Sequence, residues 1–134
     1  MLVSNKTIRK LELEGNLLGS KSLAAFGNVL KVNKTLKFLD LESNQLTVDG
    51  TEMFGVYTFS ECFAENKTLL SLNLANNALD EKCGTIFREK IQENDSLIDF
   101  DFSMNSFNMQ DSRDIQDYLM RNKAAYDAER LKEW

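Results

Sequence analysis

The chain has 134 residues and a mass of 15.3 kDa, enough for one domain with its own hydrophobic core. Hydrophobic residues make up 43% and charged residues 28% of the sequence, a balance that excludes an intrinsically disordered chain. The formal net charge of -5 and the isoelectric point near 4.8 argue against nucleic acid as a partner, because its phosphates are also negative.

The amino terminus leads from Met1 directly into a strand-like apolar pattern, which leaves no room for a signal peptide. The longest apolar runs, such as residues 23–26, are far too short to cross a bilayer. We therefore expect a cytoplasmic protein without a membrane partner.

Four segments of the chain fit the same pattern, L-x-x-L-x-L-x-x-N-x-L. Their spacings are 28, 33 and 28 residues, counted between the first apolar positions Ile8, Leu36, Leu69 and Leu97. Four matches in register predict a repeat architecture in a single domain. We place the repeats at about residues 5–32, 33–65, 66–93 and 94–110, with a capping and projecting helix over 110–134.

Each repeat begins with a strand and a polar turn. The alternation Leu39-Asp40-Leu41 is typical of a half-buried strand, with one face toward the core. An asparagine follows each strand where the chain turns inward, so its amide can pair backbone groups that would otherwise be buried alone. These asparagines are Asn16, Asn44, Asn77 and Asn105. A second set heads an N-x-[ST] turn once per repeat, at Asn5, Asn33, Asn66 and Asn94, which we interpret as structural turns rather than glycosylation sites.

The second part of each repeat has helical periodicity. Residues 20–32 predict a helix with Ser20 or Ser22 as its cap, and residues 80–92 predict another with Asp80 near its positive end. The second repeat carries five extra residues around 51–59, so we expect a longer or bulged helix there. The last helix, about 110–134, has a face formed by Ile115, Tyr118, Leu119, Asn122 and Tyr126.

The predicted fold class is therefore α/β. Strand and helix modules that cannot bury their apolar faces alone would stack into a short right-handed solenoid, with a parallel sheet on its concave side. The end of such a stack needs a cover. The amino end begins with the first repeat, so we expect it to be partly open to water, covered by a partner or continued by further repeats. The residues concerned are Leu2, Val3, Leu11 and Leu13.

The sequence offers little for catalysis. Histidine is absent, which removes the commonest acid-base group, and no phosphate-binding or zinc-binding motif occurs. Cys62 and Cys83 lie among apolar residues and are interpreted as buried thiols, with a disulfide or metal pair as the alternative. We predict a protein that is not an enzyme and has no cofactor and no metal site.

The outward positions of the four strands form a stripe with six acids and one base, a charge of -5. Like charges this close repel each other, which favours a docking face for a basic segment of another protein. A merely solvated acidic face is the alternative interpretation. The residues predicted to bind on this face are Glu12, Glu14, Phe38, Asp40, Glu42, Asn73, Asp99 and Asp101. A second contact is predicted on the terminal helix, at Tyr126, Arg130 and Trp134.

All four units resemble the leucine-rich repeats of the ribonuclease-inhibitor-like class. Residues 30–37, LKVNKTLK, followed by LESN at 41–44, resemble the repeat domain of tropomodulins, the actin pointed-end cappers. Residues 115–134 are similar instead to the terminal helix of leucine-rich-repeat proteins of ciliary axonemes, in the dynein regulatory complex and radial spokes. That likeness implies a noncatalytic scaffold of a cytoskeletal assembly. Regulation of a GTPase, as by the Ran GTPase activating proteins, and actin pointed-end capping are the alternatives.

Overall fold

The computed structural model describes residues 2–47 and 52–132. Strands and helices alternate along the chain, with two short helices in the second repeat. The strands are β1 (Lys10–Glu12), β2 (Phe38–Asp40), β3 (Ser71–Asn73) and β4 (Asp99–Asp101). The helices are α1 (Ser20–Val32), α2 (Phe54–Ser60), α3 (Cys62–Glu65), α4 (Glu81–Ile91) and α5 (Met109–Leu131). None of these helices is both long enough and apolar enough to span a membrane.

The four strands form one parallel sheet in the order β1-β2-β3-β4. Their register follows the sequence repeat. Leu11, Leu39, Leu72 and Phe100 form one lateral row, and this row points into the core. The predicted parallel solenoid is confirmed, with each strand shortened to three residues.

The core lies between the sheet and the helices. It is continuous from Leu23 in α1 to Leu119 in α5, and most of its leucines are fully buried. Phenylalanines fill its carboxyl-terminal half and meet edge to face. Phe63 lies 5.6 Å from Phe59 and 5.8 Å from Phe87, measured between ring centroids. Such contacts add roughly 0.5–1.5 kcal/mol per pair to the burial of the rings themselves.

The turn asparagines form a ladder that joins neighbouring repeats. The Asn44 amide donates to the carbonyls of Leu41, at 2.8 Å, and Leu13, at 3.1 Å, and its Oδ1 accepts from the backbone of Asn16 and Leu18. Asn77 and Asn105 repeat this arrangement one unit further along. The residue before each ladder asparagine has positive φ in all four repeats, at Gly15, Ser43, Asn76 and Met104.

The asparagines of the N-x-[ST] turns form a second ladder at the other end of the strands, where the chain enters each strand. Asn66 Oδ1 accepts from the backbone of Thr68 and Leu69, and its amide donates to the carbonyls of Leu30 and Asn33. Asn33 and Asn94 are equally buried, at 4% and 3% exposure. The prediction of structural turns is confirmed for Asn33, Asn66 and Asn94, because a buried amide that donates two hydrogen bonds is not accessible to a glycan. Asn5 makes the same turn, with its Oδ1 accepting from the backbone of Thr7 and Ile8, but it is only half-buried.

Two helix predictions need correction. Neither Ser20 nor Ser22 caps α1, whose N-cap is Gly19 without a side-chain bond. The Ser20 hydroxyl instead accepts from the backbone N–H of Gly55 at 3.0 Å, linking α1 to α2. The extra residues of the second repeat do not lengthen one helix; they accompany a break at Glu61 between α2 and α3. Part of that insertion, residues 48–51, lies outside the described residues.

The amino end is partly open, as expected. Leu11 and Leu13 are half-buried and Val3 is 59% exposed. Leu2 is the exception, because it is only 8% exposed and its carbonyl accepts a 2.8 Å hydrogen bond from the Asn33 amide. The first turn of the chain thus folds back over one corner of the core.

The carboxyl end is closed by α5. Ile115 and Leu119 are buried against the last repeat, and Tyr118 packs at the edge of the core. The helix is tied down at its start by Asp111, which accepts from the Thr85 hydroxyl at 2.6 Å and from Arg88 Nε at 3.1 Å. Burial opposes the charged form of Asp111, yet hydrogen bonds from Thr85, Arg88 and Asn108 together lower the pKa of its carboxyl.

Candidate functional site

The sheet presents its outward side chains in lateral rows. The first row is Lys10, Phe38, Ser71 and Asp99, and the second is Glu12, Asp40, Asn73 and Asp101. Just beyond the strands, Glu14, Glu42, Ala75 and Ser103 follow in the same order. We call these twelve positions the concave face. The structure thus brings together all eight residues predicted for it, although Glu14 and Glu42 lie in turns rather than in strands.

Two aspartates and one asparagine on this face make the same hydrogen bond to the turn that follows each strand. In each case the side-chain oxygen accepts from the backbone N–H two residues later. Oδ1 of Asp40 accepts from the Glu42 N–H at 2.9 Å, and Oδ1 of Asp101 accepts from the Ser103 N–H at 3.0 Å. Oδ1 of Asn73 makes the equivalent bond to the Ala75 N–H at 2.9 Å. The turn therefore needs the oxygen but not the charge.

The first strand carries the one cation of the face. Lys10 Nζ lies 3.6 Å from a carboxylate oxygen of Glu12 and 4.7 Å from the centre of the Phe38 ring. Both charged side chains are more than half exposed, so this pair contributes little to stability. It does neutralise the β1 edge of the face, and the uncompensated acids begin at Glu14 and Asp40.

Three carboxylates of the concave face lie close together, among them Glu12 of the pair with Lys10. Oxygen atoms of Glu12, Glu14 and Asp40 lie within 4.8 Å of one another. An acidic cluster of this kind attracts cations of any sort, including the ammonium and guanidinium groups of a protein partner. The exposure of Glu12 and Glu14 favours long basic side chains over a coordinated ion, because water competes for each oxygen.

The predicted contact on α5 is partly turned toward the protein itself. Tyr126 lies half-buried in an open groove of about 420 Å³ between α5 and the loops before β2, β3 and β4, beside Lys37 and Lys67. Its hydroxyl accepts from Arg130 at 2.9 Å, and the Arg130 guanidinium lies 5.2 Å from its ring centre. Arg130 remains exposed. Trp134 lies outside the described residues.

Both cysteines are buried thiols, as predicted. They are free, at 1% and 0% exposure, and the Cys83 sulfur lies 3.7 Å from the sulfur of Met53. Burial raises the pKa of the Cys62 thiol well above its usual range and that of Cys83 to about 12. Such thiols stay protonated at neutral pH and are poor nucleophiles.

The comparisons with known proteins agree with this fold. The Leucine Rich repeat family profile matches residues 32–55 and 65–82. The fold is a leucine-rich-repeat solenoid. No curated protein sequence matches the chain.

Two solved structures are similar over almost the whole chain. One is described as Leiomodin-1 Actin-Binding Site 2, with a TM-score of 0.84, 23% identity and coverage of 98% of this chain and 73% of that one. The other is the tropomodulin C-terminal domain of Caenorhabditis elegans, with a TM-score of 0.82, 18% identity and coverage of 97% and 75%. At these identities the likeness establishes the fold.

One structural feature could not be predicted from the sequence. Arg121 and Asn122 end the second ladder, with Arg121 donating to the Asn94 carbonyl at 2.6 Å and Asn122 donating to the Leu97 carbonyl at 2.9 Å. The only signal was a polar Asn122 on an otherwise apolar helix face, which a buried hydrogen-bonding role explains.

Proposed function

We propose that the chain is a noncatalytic actin-binding module of the cytoskeleton that holds its partner on the concave face. The observation that carries this proposal is the likeness of 98% of the chain to a structure described as an actin-binding site of leiomodin. The tropomodulin-like residues 30–37 and 41–44 support it from the sequence.

The concave face supports binding rather than catalysis. Its acids lie on neighbouring strands, about 4.8 Å apart, on a sheet that is open to solvent. Acid-base catalysis, in contrast, relies on a shaped pocket that excludes water. Acidic rows on a rigid sheet suit a basic helix or loop, whose lysines and arginines would reach successive rows. The partner we propose therefore docks a basic segment across β1 to β4.

Direct binding tests the proposal. The purified chain, carrying a fluorescent label, is titrated with monomeric actin and with filaments, and pointed-end elongation is followed with barbed ends blocked. We expect saturable binding and slower elongation. Absence of binding to both forms at concentrations up to about 100 µM would overturn the proposal.

Charge variants locate the surface. Asp40→Asn with Asp101→Asn removes two charges but keeps both turn oxygens, as Asn73 does, so we expect a normal fold and about tenfold weaker binding. Asp40→Lys with Asp101→Lys should abolish binding. The matched control, Glu93→Lys with Asp117→Lys, makes the same charge change at exposed sites outside the face. Equal losses in control and test variants would remove the concave face from the proposal.

A scaffold of a ciliary axoneme is the second candidate. It is supported by the axoneme-like sequence of residues 115–134 and by the exposure of the distal part of α5, including Arg130. Cross-linking mass spectrometry in ciliated cells separates the two functions, since axonemal neighbours without actin would favour the scaffold. Regulation of a GTPase would appear as a changed hydrolysis rate when the chain is added.

A further inference from the structure

The outer edge of β4 carries backbone groups that have no partner among the described residues. Asp99 and Asp101 turn their backbone groups toward β3, where the Asp99 N–H donates to the Leu70 carbonyl at 3.1 Å. Successive residues of a strand face opposite neighbours, so the backbone groups of Phe100 and the N–H of Phe102 point to the other side. Within the described residues the sheet order ends at β4, and no strand pairs with that side.

The helix that follows β4 does not take the place of a fifth strand. It packs on α4, and Asp111 near its start accepts from Thr85 and Arg88 of that helix. Further along α5, Arg121 and Asn122 reach the turn where the chain enters β4. The helix therefore covers the core and ends the second ladder, while the edge of β4 remains unpaired in the described part of the chain.

The first ladder, formed by the asparagines that follow the strands, is unfinished beside this edge. The Asn44 N–H donates to Oδ1 of Asn77 at 3.1 Å, and the Asn77 N–H donates to Oδ1 of Asn105 at 3.0 Å. Oδ1 of Asn105 also accepts from the Leu79 N–H at 2.9 Å. The equivalent N–H groups of Asn105 and Phe107 find no acceptor among the residues that the structure describes. Two more donors are therefore available at the end of β4.

Apolar side chains surround the same end of the strand. Phe102 and Phe107 stack with their ring centroids 5.2 Å apart, and both remain half-buried. The equivalent leucines of the two preceding repeats are fully buried by the next repeat. They are Leu41, Leu46, Leu74 and Leu79. Met104 and Met109 extend this apolar surface, at 77% and 71% exposure.

Met104 is unfavourable in two respects for a domain without a partner. Its φ of 57° lies in the left-handed region, which a residue with a β carbon disfavours, and its large apolar side chain faces water. The other repeats place Gly15, Ser43 and Asn76 at this position. Neighbours at this position touch, because the Asn76 amide donates to the Ser43 hydroxyl at 3.0 Å. Met104 is therefore placed to contact the equivalent residue of an added strand.

The charges of β4 select the chemistry of such a strand. Asp99 and Asp101 are exposed on the concave face. Their lateral neighbours on β3 are the uncharged Ser71 and Asn73. Opposite charges on neighbouring strands stabilise a sheet, so lysine or arginine fits best at the two outward positions of the added strand. The inward positions would lie over Phe102 and the end of the core, which favours large apolar side chains.

We propose that β4 binds an extended segment of a partner protein as a fifth parallel strand, with basic residues outward and apolar residues inward. Its N–H groups donate to the carbonyls of Ile98 and Phe100, and its carbonyls accept from Phe100 and Phe102. A polar side chain in the turn after this strand accepts from Asn105 and Phe107, as each ladder asparagine does for the repeat before it. The parallel direction lets one segment meet all of these groups. The proposal is independent of actin as the partner on the concave face.

A synthetic peptide tests the strand addition. It copies residues 97–105 with Asp99→Lys and Asp101→Lys, and so combines inward apolar residues, two outward cations and the ladder asparagine. The peptide is titrated into the isotope-labelled full chain and followed by nuclear magnetic resonance. We expect saturable binding with a dissociation constant of about 100 µM and slower hydrogen exchange at the Phe100 and Phe102 amides. Absence of binding up to about 2 mM would overturn the proposal. Binding without protection of these two amides would overturn it as well.

Modified peptides test the hydrogen bonds and the charges separately. N-methylation of the two lysines removes the N–H groups that face β4 and should weaken binding at least about 30-fold. N-methylation of the two phenylalanines changes only the far edge and should alter binding less than about threefold. Equal losses would contradict strand pairing. The peptide with its original aspartates should bind at least about tenfold more weakly, and equal affinity would contradict the preference for a basic segment.

Met104→Gly tests the exposed methionine. The change removes the apolar side chain and relieves the left-handed backbone, so we expect about fivefold weaker peptide binding with an unchanged or higher melting temperature. Met120→Ala, at a 69% exposed position on α5, is the control and should leave the affinity for the peptide unchanged. Equal peptide affinity in the two variants would overturn the assignment of Met104 to the contact. A chain that binds the peptide but not actin would support strand addition and overturn the proposed function.

Discussion

The two ends of the solenoid meet the same physical demand in different ways. Each repeat leaves backbone groups and an apolar side for a neighbour to cover. At the carboxyl end, α5 supplies an apolar face through Ile115 and Leu119. It also supplies hydrogen-bond donors through Arg121 and Asn122. At the first repeat, among the described residues, Leu2 covers one corner of the core and its carbonyl accepts from Asn33, and β1 is paired with β2. The difference teaches that closing a repeat stack requires polar satisfaction as well as apolar cover.

The donors at the carboxyl end follow the ladder closely. Asn66 donates to the Asn33 carbonyl, Asn94 donates to the Asn66 carbonyl, and Arg121 donates to the Asn94 carbonyl. The helix therefore imitates the next turn without repeating its sequence. Replacing an asparagine in the middle of the stack should therefore lower the free energy of unfolding most, and replacing one at the exposed first turn should lower it least. Replacing Asn122 of the capping helix should have an intermediate effect.

Replacement of an interior ladder asparagine should have the largest effect. Asn77→Leu leaves the carbonyls of Leu41, Leu74 and Ala75 without their amide donor and should lower the free energy of unfolding by about 3–5 kcal/mol. Asn16→Leu, at the exposed end of the same ladder, should cost less than about 1 kcal/mol. Urea denaturation followed by circular dichroism measures both. Equal losses in the two variants would mean that the contribution of a ladder asparagine to stability does not depend on its position in the stack.

Removal of the Asn122 side chain from the capping helix should lower the free energy of unfolding by an intermediate amount. Asn122→Ala removes a 2% exposed side chain and leaves the Leu97 carbonyl without its 2.9 Å donor, so we expect a loss of about 2–3 kcal/mol. Hydrogen exchange should rise first in α5 and the fourth repeat. Gln116→Ala, at an exposed site of the same helix, is the control. If it destabilises the protein as much, the helix contributes through its propensity alone.

The buried thiols report on the interior between the two ends, and their effect on stability should be absent at neutral pH and appear only at alkaline pH. Burial raises the pKa of Cys83 from 9.0 to about 12, so the unfolded state releases this proton first as the pH rises. The contribution of this thiol to stability is fully present well below pH 9 and is lost as the pH rises from there toward 12, by at most about 1.4 kcal/mol per pH unit. The slope should be shallower in Cys83→Ala, compared in urea denaturation from pH 8 to 11. Identical slopes would show that the thiol is not protected.

The sequence predicted most of the fold because the repeat is local. Every strand, every turn asparagine and the bounds of α1 follow from periodicities within about 28 residues, and the two sets of asparagines fall where the chain turns. Two helix starts show the limit of this approach. Asp80 caps α4 as its position suggests, with the Cys83 N–H donating at 3.1 Å, whereas Ser20 bonds to Gly55 in the next repeat.

The candidate site was predicted in part for the same reason. Outward strand positions alternate with inward ones, so the membership of the concave face could be derived residue by residue. The contacts that each side chain makes could not be derived in this way. The 4.8 Å cluster of Glu12, Glu14 and Asp40 and the turn of Tyr126 toward its own groove depend on contacts between repeats.

The sequence alone determined that this protein is a stack, since one pattern repeated four times predicts one core repeated four times. The sequence also predicted a capping helix after the last repeat, and only the tertiary structure decided which of its side chains close that repeat. The reason is physical: a repeat specifies the neighbour it needs through short-range periodicity, whereas the cover over its last carbonyls and apolar side comes from whatever segment can reach them. For the last repeat that segment is α5.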